Sequence, residues 1–393
     1  MKKVGIITIT RGSNYGNKLQ NFAMQELIKS FGFESYTIIN DTKVGSSINP
    51  FDSIDRGKNL LYYLNAIKIK ANNKFYRNDE SNCIRHMLWY FKNNKKIIEL
   101  LQNRQNKFDM FFDSYIKVYK DPINIDTINE KKASLNNYFE FFVCGSDQIW
   151  NPFYPETSNI DFLTFANTNK RIAISPSIGI NSLPKNKVDE YQRRLKGFKK
   201  LSIREEQGAN ILRELINKEV PVLFDPTLLV DRNVWSKIEK KVILEGDYIL
   251  VYFLGKLTNK YKKLINNYSK KYNFKIIILN NLKNMEFYDI DPGEFLFLIK
   301  NAKFIFTDSF HGCIFSLIYQ KEFFVLKRME KGNSMHSRID TLLKTTQLEE
   351  RLYNQENKIK PIDYKYVWKC IDKKREMQLN ILKSYFDLKG EEG

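Results

Sequence analysis

The strongest constraint on the fold of this chain is the alternation of short apolar segments with amphipathic ones. Residues 4–10, VGIITIT, have the composition of a buried strand, and a loop rich in Gly, Ser and Asn follows. Residues 17–32 then place apolar side chains at helical spacing and end at Gly32, a residue type that often terminates helices. Residues 34–40 are predicted to form the next strand. The chain therefore opens with the β-loop-α-β order of a parallel α/β sheet.

The same alternation recurs and then restarts, which predicts two domains. Strand-like segments occur at residues 138–145, 171–179, 199–205 and 221–229. A polar segment follows at about 232–246, and the pattern begins again with YILVYFLG. A chain of 393 residues also exceeds one ordinary core. We predict an N-terminal Rossmann-like domain over residues 1–232, and a C-terminal Rossmann-like domain with C-terminal helices over residues 233–393.

Residues 55–120 interrupt this alternation. They are aromatic, basic and patterned as helices, and strand signals are scarce among them. We predict a helical insertion in the first domain. Its aromatic residues are expected to serve mainly as core, so no candidate site residue is assigned there.

Composition narrows the possible partners and cofactors. The formal net charge of +19 suits nucleic acid, a membrane surface or an anionic substrate. The lysines are dispersed instead of forming one basic block, so we expect no nucleic-acid partner and favour an anionic donor near a lipid surface. The four cysteines form no C-x-x-C pair, so no metal site or cofactor is predicted. No apolar run could span a bilayer and no signal-peptide pattern is present, so the expected location is the cytoplasm.

Polar residues at predicted strand ends are the candidate site residues, because ligands of parallel α/β sheets bind there. In the second domain, TDSFHG places Ser309, His311 and Gly312 where a strand turns into a helix. A helix N-terminus attracts anions, and glycine would let one approach the backbone. His311, one of three histidines, could donate to that anion or transfer a proton.

The first domain supplies a carboxylate and amides at its own strand ends. GSDQ places Asp147 and Gln148 after one strand, and NYGN places Asn14 and Asn17 after another. Asp147 could act as a base and the amides could bind hydroxyls, although turn capping would explain the same residues. Neither G-x-G-x-x-G nor a Walker loop is present, which argues against an ordinary nucleotide site.

Two arginines complete the candidate set. Arg204 ends the segment LSIR and Arg338 lies in SRIDTLL. A guanidinium at a strand end or helix start is a fork for carboxylate or phosphate. We expect both arginines to converge with His311 in an interdomain cleft and to form a site for a small anion.

Several segments together resemble the polysaccharide pyruvyl transferase family. These are NYGNKLQNFAMQ, VCGSDQIWNP, SIREEQG, DPTLLV, the block from DPGEFLF to KEFFV, and SRIDTLL. The resemblance covers residues 4–345 and is weakest across 45–135. It implies a GT-B-like architecture, in which two Rossmann-like domains face a cleft. It also implies transfer of an enolpyruvyl-derived group from phosphoenolpyruvate to two hydroxyls of a sugar, forming a cyclic pyruvate ketal.

The resemblance also suggests roles and partners. The acceptor would be a cell-surface polysaccharide or its lipid-linked precursor, reached by peripheral contact with the inner face of the membrane. The family's motif positions fall on His311 and Asp147 as catalytic residues, and on Arg204 and Arg338 as donor-binding residues. Ser309 and Gly312 are expected to assist donor binding. Acceptor binding is assigned to residues at the strand ends of the first domain: Asn14, Asn17 and Gln148.

Two other classes of function remain open from the sequence. A GT-B-type glycosyltransferase would share the fold and use a nucleotide-sugar donor. A non-enzymatic module would dock through the basic helical insertion on a membrane or a protein partner. Binding of phosphoenolpyruvate rather than a nucleotide sugar would separate the first alternative from a pyruvyl transferase.

Overall fold

The computed structural model describes residues 1–42, 80–154, 157–328, 337–354 and 360–388, with the backbone alone for residues 80–91. The first sheet has the order β2-β1-β3-β4-β5, and all its neighbouring strands are parallel. Its strands are β1 (Lys3–Ile7), β2 (Glu34–Thr37), β3 (Phe141–Cys144), β4 (Arg171–Ala173) and β5 (Lys200–Leu201). The helices in this part of the chain are α1 (Tyr15–Ser30), α2 (Glu80–Tyr115), α3 (Ile128–Tyr138), α4 (Val188–Leu195), α5 (Glu206–Ile216) and α6 (Pro226–Leu229).

The second sheet is also parallel and has the order β7-β6-β8-β9. Its strands are β6 (Tyr248–Tyr252), β7 (Lys275–Leu279), β8 (Phe304–Thr307) and β9 (Glu322–Val325). Its helices are α7 (Asn259–Tyr272), α8 (Pro292–Asn301), α9 (Phe310–Ile318), α10 (Ser337–Thr346) and α11 (Tyr364–Tyr385). The predicted GT-B-like fold of two Rossmann-like domains is confirmed.

One predicted strand is wrong. Residues 221–229 form an isolated bridge at Val222 and then the short helix α6. Pro226 has no N–H to donate to a ladder, and it occupies the first helical turn, where that loss is harmless. The side chain of Asp225 caps this helix by accepting a hydrogen bond from the N–H of Thr227. The apolar composition therefore belongs to a buried helix start rather than a strand.

The helical insertion is confirmed for residues 80–115, which form α2, while residues 55–79 lie outside the described part of the chain. Arg104 of α2 is buried and joins segments of both sheets. Its Nη1 donates to the Tyr15 hydroxyl at 2.8 Å, and its Nη2 donates to the carbonyl of Ser13 at 2.9 Å. On the second-domain side, it donates to Asn280 Oδ1 at 2.8 Å and to the carbonyl of Tyr288. The insertion is thus a brace between the two sheets.

The C-terminal helix α11 also crosses between sheets. Arg375 Nε donates to the carbonyl of Leu229 at 2.8 Å, and the Tyr385 hydroxyl donates to the carbonyl of Leu201 at 2.8 Å. Just beyond the helix, the ring of Phe386 packs on Phe33, with the centroids 5.1 Å apart. Helix α11 and Phe386 therefore pack against the first sheet although they follow the second, and a division at residue 232 stays a prediction. Within the described ranges, no helix is both long and apolar enough to cross a membrane.

We expect Arg104→Met to lower the free energy of unfolding by about 2–3 kcal/mol, because it leaves several acceptors in partly buried places without their donor. Lys107→Met on the same helix is the control. Lys107 is 3.6 Å from Asp289 and 3.7 Å from Glu294 but partly exposed, so its loss should cost less than about 1 kcal/mol. Urea unfolding followed by tryptophan fluorescence measures the free energy of unfolding of both variants. Equal losses in the two variants would contradict the role of Arg104 as a brace between the sheets.

Candidate active site

Two helix N-termini, one from each domain, meet around His311. Helix α1 follows β1 and helix α9 follows β8, so both begin at the carboxyl ends of central strands. Asn14 Oδ1 caps α1 by accepting from the N–H of Gly16 at 2.9 Å, and Ser309 Oγ caps α9 by accepting from the N–H of Gly312 at 3.3 Å. A Cβ on Gly16 would lie 2.1 Å from His311 Nδ1. The imidazole therefore rests against the backbone of the other domain's helix.

Asp225 is the acceptor that gathers this cluster. Its Oδ2 accepts from Ser146 Oγ at 2.6 Å and from Arg204 Nη1 at 2.8 Å, and its Oδ1 accepts from Thr227 Oγ1 at 2.7 Å. His311 Nε2 lies 3.7 Å from Oδ2, too far for a direct hydrogen bond but close enough for strong attraction when the imidazole is protonated. Burial alone would raise the pKa of Asp225, but His311, Arg204 and Ser146 outweigh it and hold that pKa far below its ordinary value.

Asp147 lies between two arginines. Its Oδ1 is 3.2 Å from Arg204 Nη2 and 3.9 Å from Arg338 Nη1. The ring of Phe310 lies 4.5 Å from the Arg204 guanidinium carbon and 5.9 Å from that of Arg338, so one aromatic residue contacts both cations. Burial would raise the pKa of Asp147, but the charges of Arg204, His311 and Arg338 keep it below its ordinary value. The carboxylate is therefore ionised at neutral pH.

The two arginines differ in how far they are neutralised. Burial would lower the pKa of Arg204, yet Asp147 and Asp225 overcome this and raise it. Arg338 is only 8% exposed, and among the described residues its sole ion-pair contact is Asp147 at 3.9 Å. Burial and the nearby charge of Arg204 lower the pKa of Arg338 to about 10. Arg338 is thus a buried cation with little compensating charge.

The amide of Gln148 supports Arg338. With its oxygen toward the guanidinium, it accepts from Nη1 at 2.9 Å and from Nη2 at 2.6 Å. Within the described residues, Arg338 Nε and His311 Nε2 are buried without a hydrogen-bond partner. Arg338 Nε is thus a buried N–H donor whose hydrogen bond is not made by the described residues, and His311 Nε2 faces Asp225.

The convergence predicted from the sequence is confirmed as geometry. His311, Asp147, Gln148, Arg204 and Arg338 lie in one buried cluster drawn from both domains. Their catalytic and binding roles stay predictions.

The other predicted residues lie at the same two helix N-termini, and Asn14, Ser309 and Gly312 each have a structural role there. Asn14 and Ser309 cap α1 and α9, and Asn17 is half-buried in the first turn of α1. A Cβ on Gly312 would meet Thr307 Oγ1 at 2.4 Å, so this glycine lets α9 pack against the end of β8. The N–H of Gly312 donates to Ser309 Oγ. This differs from the backbone accessible to an anion that the sequence predicts at this glycine. Ligand binding by these four residues stays a prediction.

Sequence reasoning missed Asp225, Ser146 and Glu205. The Asp-Pro-Thr order around Asp225 is typical of a helix start, and this pattern could have indicated a buried capping carboxylate. Glu205 is fully buried, and its Oε1 accepts from the N–H groups of Ile178 and Gly179 at 3.0 Å each. A Cβ on Gly179 would lie 2.5 Å from the Gln148 side chain, so Glu205 fixes the loop that supports Gln148.

A cavity of about 80 Å³ adjoins the cluster. Arg204, Asp225, Phe310 and Arg338 line one part of it, and Lys374 of α11 lines another. Within the described ranges, no group of three or more His, Cys, Asp or Glu side chains is placed to hold a metal ion.

The chain belongs to the polysaccharide pyruvyl transferase family. The family model with that description matches residues 14–328, most of the sequence, and supports an enzyme of this type. The match includes Asp147, Arg204, Asp225 and His311, while Arg338 lies just beyond it. No curated protein sequence matches significantly.

Comparison with solved structures finds distant similarities. UDP-GlcNAc 2-epimerase from Neisseria meningitidis bound to UDP-GlcNAc has 13% identity and a TM-score of 0.46, covering 98% of this chain and 100% of that one. UDP-GlcNAc 2-epimerase from Methanocaldococcus jannaschii has 14% identity and a TM-score of 0.45, with 97% and 99% covered. With TM-scores below 0.5, these similarities support no statement about activity.

Asp225→Asn should change how stability depends on pH. A depressed carboxylate pKa in the folded state adds stability above the unfolded-state pKa of about 4, and this contribution is lost as pH falls. At pH 7 the substitution should cost about 3–5 kcal/mol, because Arg204 loses a buried partner. Below pH ~4 the variant should lose less stability per pH unit than the wild type. Chemical unfolding at several pH values tests this.

The exposed residue Asp372 of α11 supplies the matched control. Asp372→Asn should reproduce the wild-type pH profile. A pH slope of Asp225→Asn equal to that of the wild type would contradict the assigned role of Asp225.

Proposed function

We propose that this polysaccharide pyruvyl transferase uses phosphoenolpyruvate as donor and forms a cyclic pyruvate ketal on two hydroxyls of a sugar. The family supports pyruvyl transfer in polysaccharide biosynthesis. The observation that carries the donor assignment is Arg338, a buried and weakly neutralised guanidinium beside the N-terminus of α9.

The electrostatics of Arg338 favour an anionic ligand. Phosphoenolpyruvate carries a carboxylate and a phosphate, and either group offers the paired oxygens that a guanidinium binds best. Binding would supply the negative charge that Arg338 lacks and would return its pKa toward the ordinary value. The N-terminal ends of α1 and α9 would add two favourable dipoles. Arg204 is already paired with Asp147 and Asp225, so it would act mainly by orienting these carboxylates.

His311 is the group best placed to move the proton that the reaction requires. Ketal formation adds a proton to the methylene carbon of the donor, forms two C–O bonds at the adjacent carbon and breaks the C–O bond to phosphate. The two sugar hydroxyls lose two protons. One replaces the proton that the methylene carbon gains, and the other leaves with the phosphate. An imidazolium facing Asp225 would donate the first proton and be restored by a sugar hydroxyl.

Asp147 is the proposed base on the first-domain side. It is ionised, lies beside Arg338 and adopts a left-handed backbone conformation with φ of 58°. Such a conformation is uncommon outside glycine and is often kept where a side chain must point in one direction. If Asp147 accepts a sugar proton, the acceptor would bind on the side of the first domain and the donor on the side of the second.

The acceptor is proposed to be a lipid-linked glycan at the inner face of the membrane. The support is the net charge of +19, which favours contact with anionic lipid headgroups. The helical insertion and α11 contribute many of the lysines that such a surface would attract.

Substitutions of His311 and Arg338 should separate chemistry from donor binding. His311→Asn should lower kcat by about 10²–10⁴-fold, because proton transfer is lost while the side chain keeps a similar size. Arg338→Lys should mainly raise the KM for phosphoenolpyruvate, by roughly tenfold or more, because a point charge replaces a bidentate fork. Phosphate release in the presence of a glycan acceptor measures both constants.

The surface arginine Arg213 provides the control for these variants. Arg213→Gln should leave both constants unchanged. The guanidinium of Arg213, which lies on α5, is half exposed and pairs with the exposed side chain of Glu219. Thermal stabilisation by phosphoenolpyruvate but not by nucleotide sugars is expected of the wild type. Stabilisation by nucleotide sugars alone would favour a glycosyltransferase and refute the proposed donor.

A further inference from the structure

We propose that Phe153 and Tyr154 form a stacking subsite for a neutral sugar ring of the acceptor, next to the charged cluster. The assignment of that sugar as acceptor rests on the proposed function, whereas sugar binding by these two rings can be tested without it. Nothing in the family match assigns a role to either residue.

The side chains of Phe153 and Tyr154 are both partly exposed to solvent, which is unusual for two neighbouring aromatic residues. Phe153 is 59% exposed and Tyr154 is 38% exposed, and they are neighbours in the chain. A single exposed apolar residue is common on protein surfaces, but two adjacent aromatic rings beside a buried polar cluster are a feature of ligand sites. Their position relative to Arg338 is therefore the deciding point.

The backbone turn that carries the two rings is tied to the cluster through Asn151. Asn151 Oδ1 accepts from the N–H of Phe153 at 2.9 Å, and the carbonyl of Asn151 accepts from the N–H of Tyr154 at 3.1 Å. The side-chain amides of Asn151 and Gln148 approach within 2.7 Å, and the other end of the Gln148 amide lies 2.6 and 2.9 Å from the two terminal nitrogens of Arg338. Two side-chain contacts thus connect the rings to the cation that would hold the donor.

The field around Tyr154 agrees with this placement. Burial and the charge of Asp147 raise the pKa of its phenol, while Arg338, Arg204 and Arg328 oppose them. The turn geometry places Tyr154 near the cluster through Asn151 and Gln148. In this proposal its hydroxyl would contact an acceptor bound beside Arg338.

The chemistry of these groups suits a sugar. One face of a pyranose ring presents C–H groups that pack on an aromatic ring, while its edge presents hydroxyls. Phe153 would supply the packing surface, and the Tyr154 hydroxyl would bind an acceptor hydroxyl and help to present it to Asp147. The hydrogen bonds of Asn151 hold the backbone of this turn, so ordering it on binding costs little conformational entropy.

A membrane surface is the competing partner for an exposed phenylalanine. Protein segments that enter anionic membranes combine aromatic residues with Lys or Arg. Residues 146–158, SDQIWNPFYPETS, contain no Lys or Arg and include Asp147 and Glu156. This local composition favours a neutral sugar over an anionic lipid surface.

The test measures sugar binding directly by saturation-transfer NMR with the full chain and the methyl glycosides of galactose, glucose, mannose and N-acetylmannosamine. The wild type should transfer saturation to ring C–H protons of at least one glycoside. Phe153→Ala and Tyr154→Ala should weaken this binding by about 2- to 10-fold each, the range of an aromatic contact. Tyr154→Phe should keep the stacking signal and lose only the contribution of the hydroxyl.

Tyr366→Ala is the matched control, because Tyr366 is 48% exposed on α11 and bonds to Gln347 on the surface. It should bind the glycoside as the wild type does. Wild-type binding by both Phe153→Ala and Tyr154→Ala, or no glycoside bound by the wild type, would overturn the subsite. Loss of binding to phosphatidylglycerol vesicles by Phe153→Ala, with sugar binding unchanged, would also overturn it and identify a lipid contact.

Donor binding distinguishes failure of this subsite from failure of the proposed function. The Phe153 and Tyr154 variants should keep the thermal shift that phosphoenolpyruvate gives the wild type, because neither ring contacts the donor in this scheme. A wild type that binds the sugar but shows no response to phosphoenolpyruvate would refute the donor and leave the subsite standing. A change in the phosphoenolpyruvate shift in Phe153→Ala would contradict a role confined to the acceptor.

Discussion

The carboxylate of Asp225 is the constraint on which the rest of the site depends. It is almost fully buried, accepts from Ser146, Thr227 and Arg204, and faces His311 from the other domain. A buried charge is costly unless it is fully paired, so the positions of these donors are narrowly determined. Arg204, once fixed by Asp225, holds Asp147 and lies over Phe310. The geometry around His311 is therefore determined by this hydrogen-bonded ion cluster, while Arg104 and α11 connect the two sheets elsewhere.

Two arginines in this cluster show how the same side chain can serve different ends. Arg204 forms ion pairs with Asp147 and Asp225, so its charge is neutralised within the folded protein. Arg338 has an amide and one more distant carboxylate, and burial together with the charge of Arg204 lowers its pKa. A buried cation with little nearby negative charge is stabilised by binding an anion, which is why the proposed donor is assigned to Arg338 rather than to Arg204.

The sequence was sufficient to predict the sheets and several members of the site, for physical reasons. Parallel sheets impose strand-helix alternation and bring strand ends together, so Asp147, Arg204 and His311 could be expected to meet. Local pattern failed at residues 221–229, because a buried helix start and a buried strand have the same apolar composition. Arg104 could not be found from sequence, because its partner Asn280 lies 176 residues away and only the folded chain brings them together. Gln148 was found as a strand-end amide, but its contact with Arg338 also depends on tertiary packing.

The helix that packs against the first sheet, α11, is translated after the strands of both sheets. Phe33 and Phe141 belong to early elements, yet their aromatic partner Phe386 lies beyond α11. During translation, these two phenylalanines lack the ring of Phe386 until the whole second sheet has been made. Nascent chains with unfinished apolar surface are the ones that chaperones bind and that aggregate when crowded. Expression of this enzyme in a foreign host should therefore depend on chaperone supply and on growth temperature more than its final packing suggests.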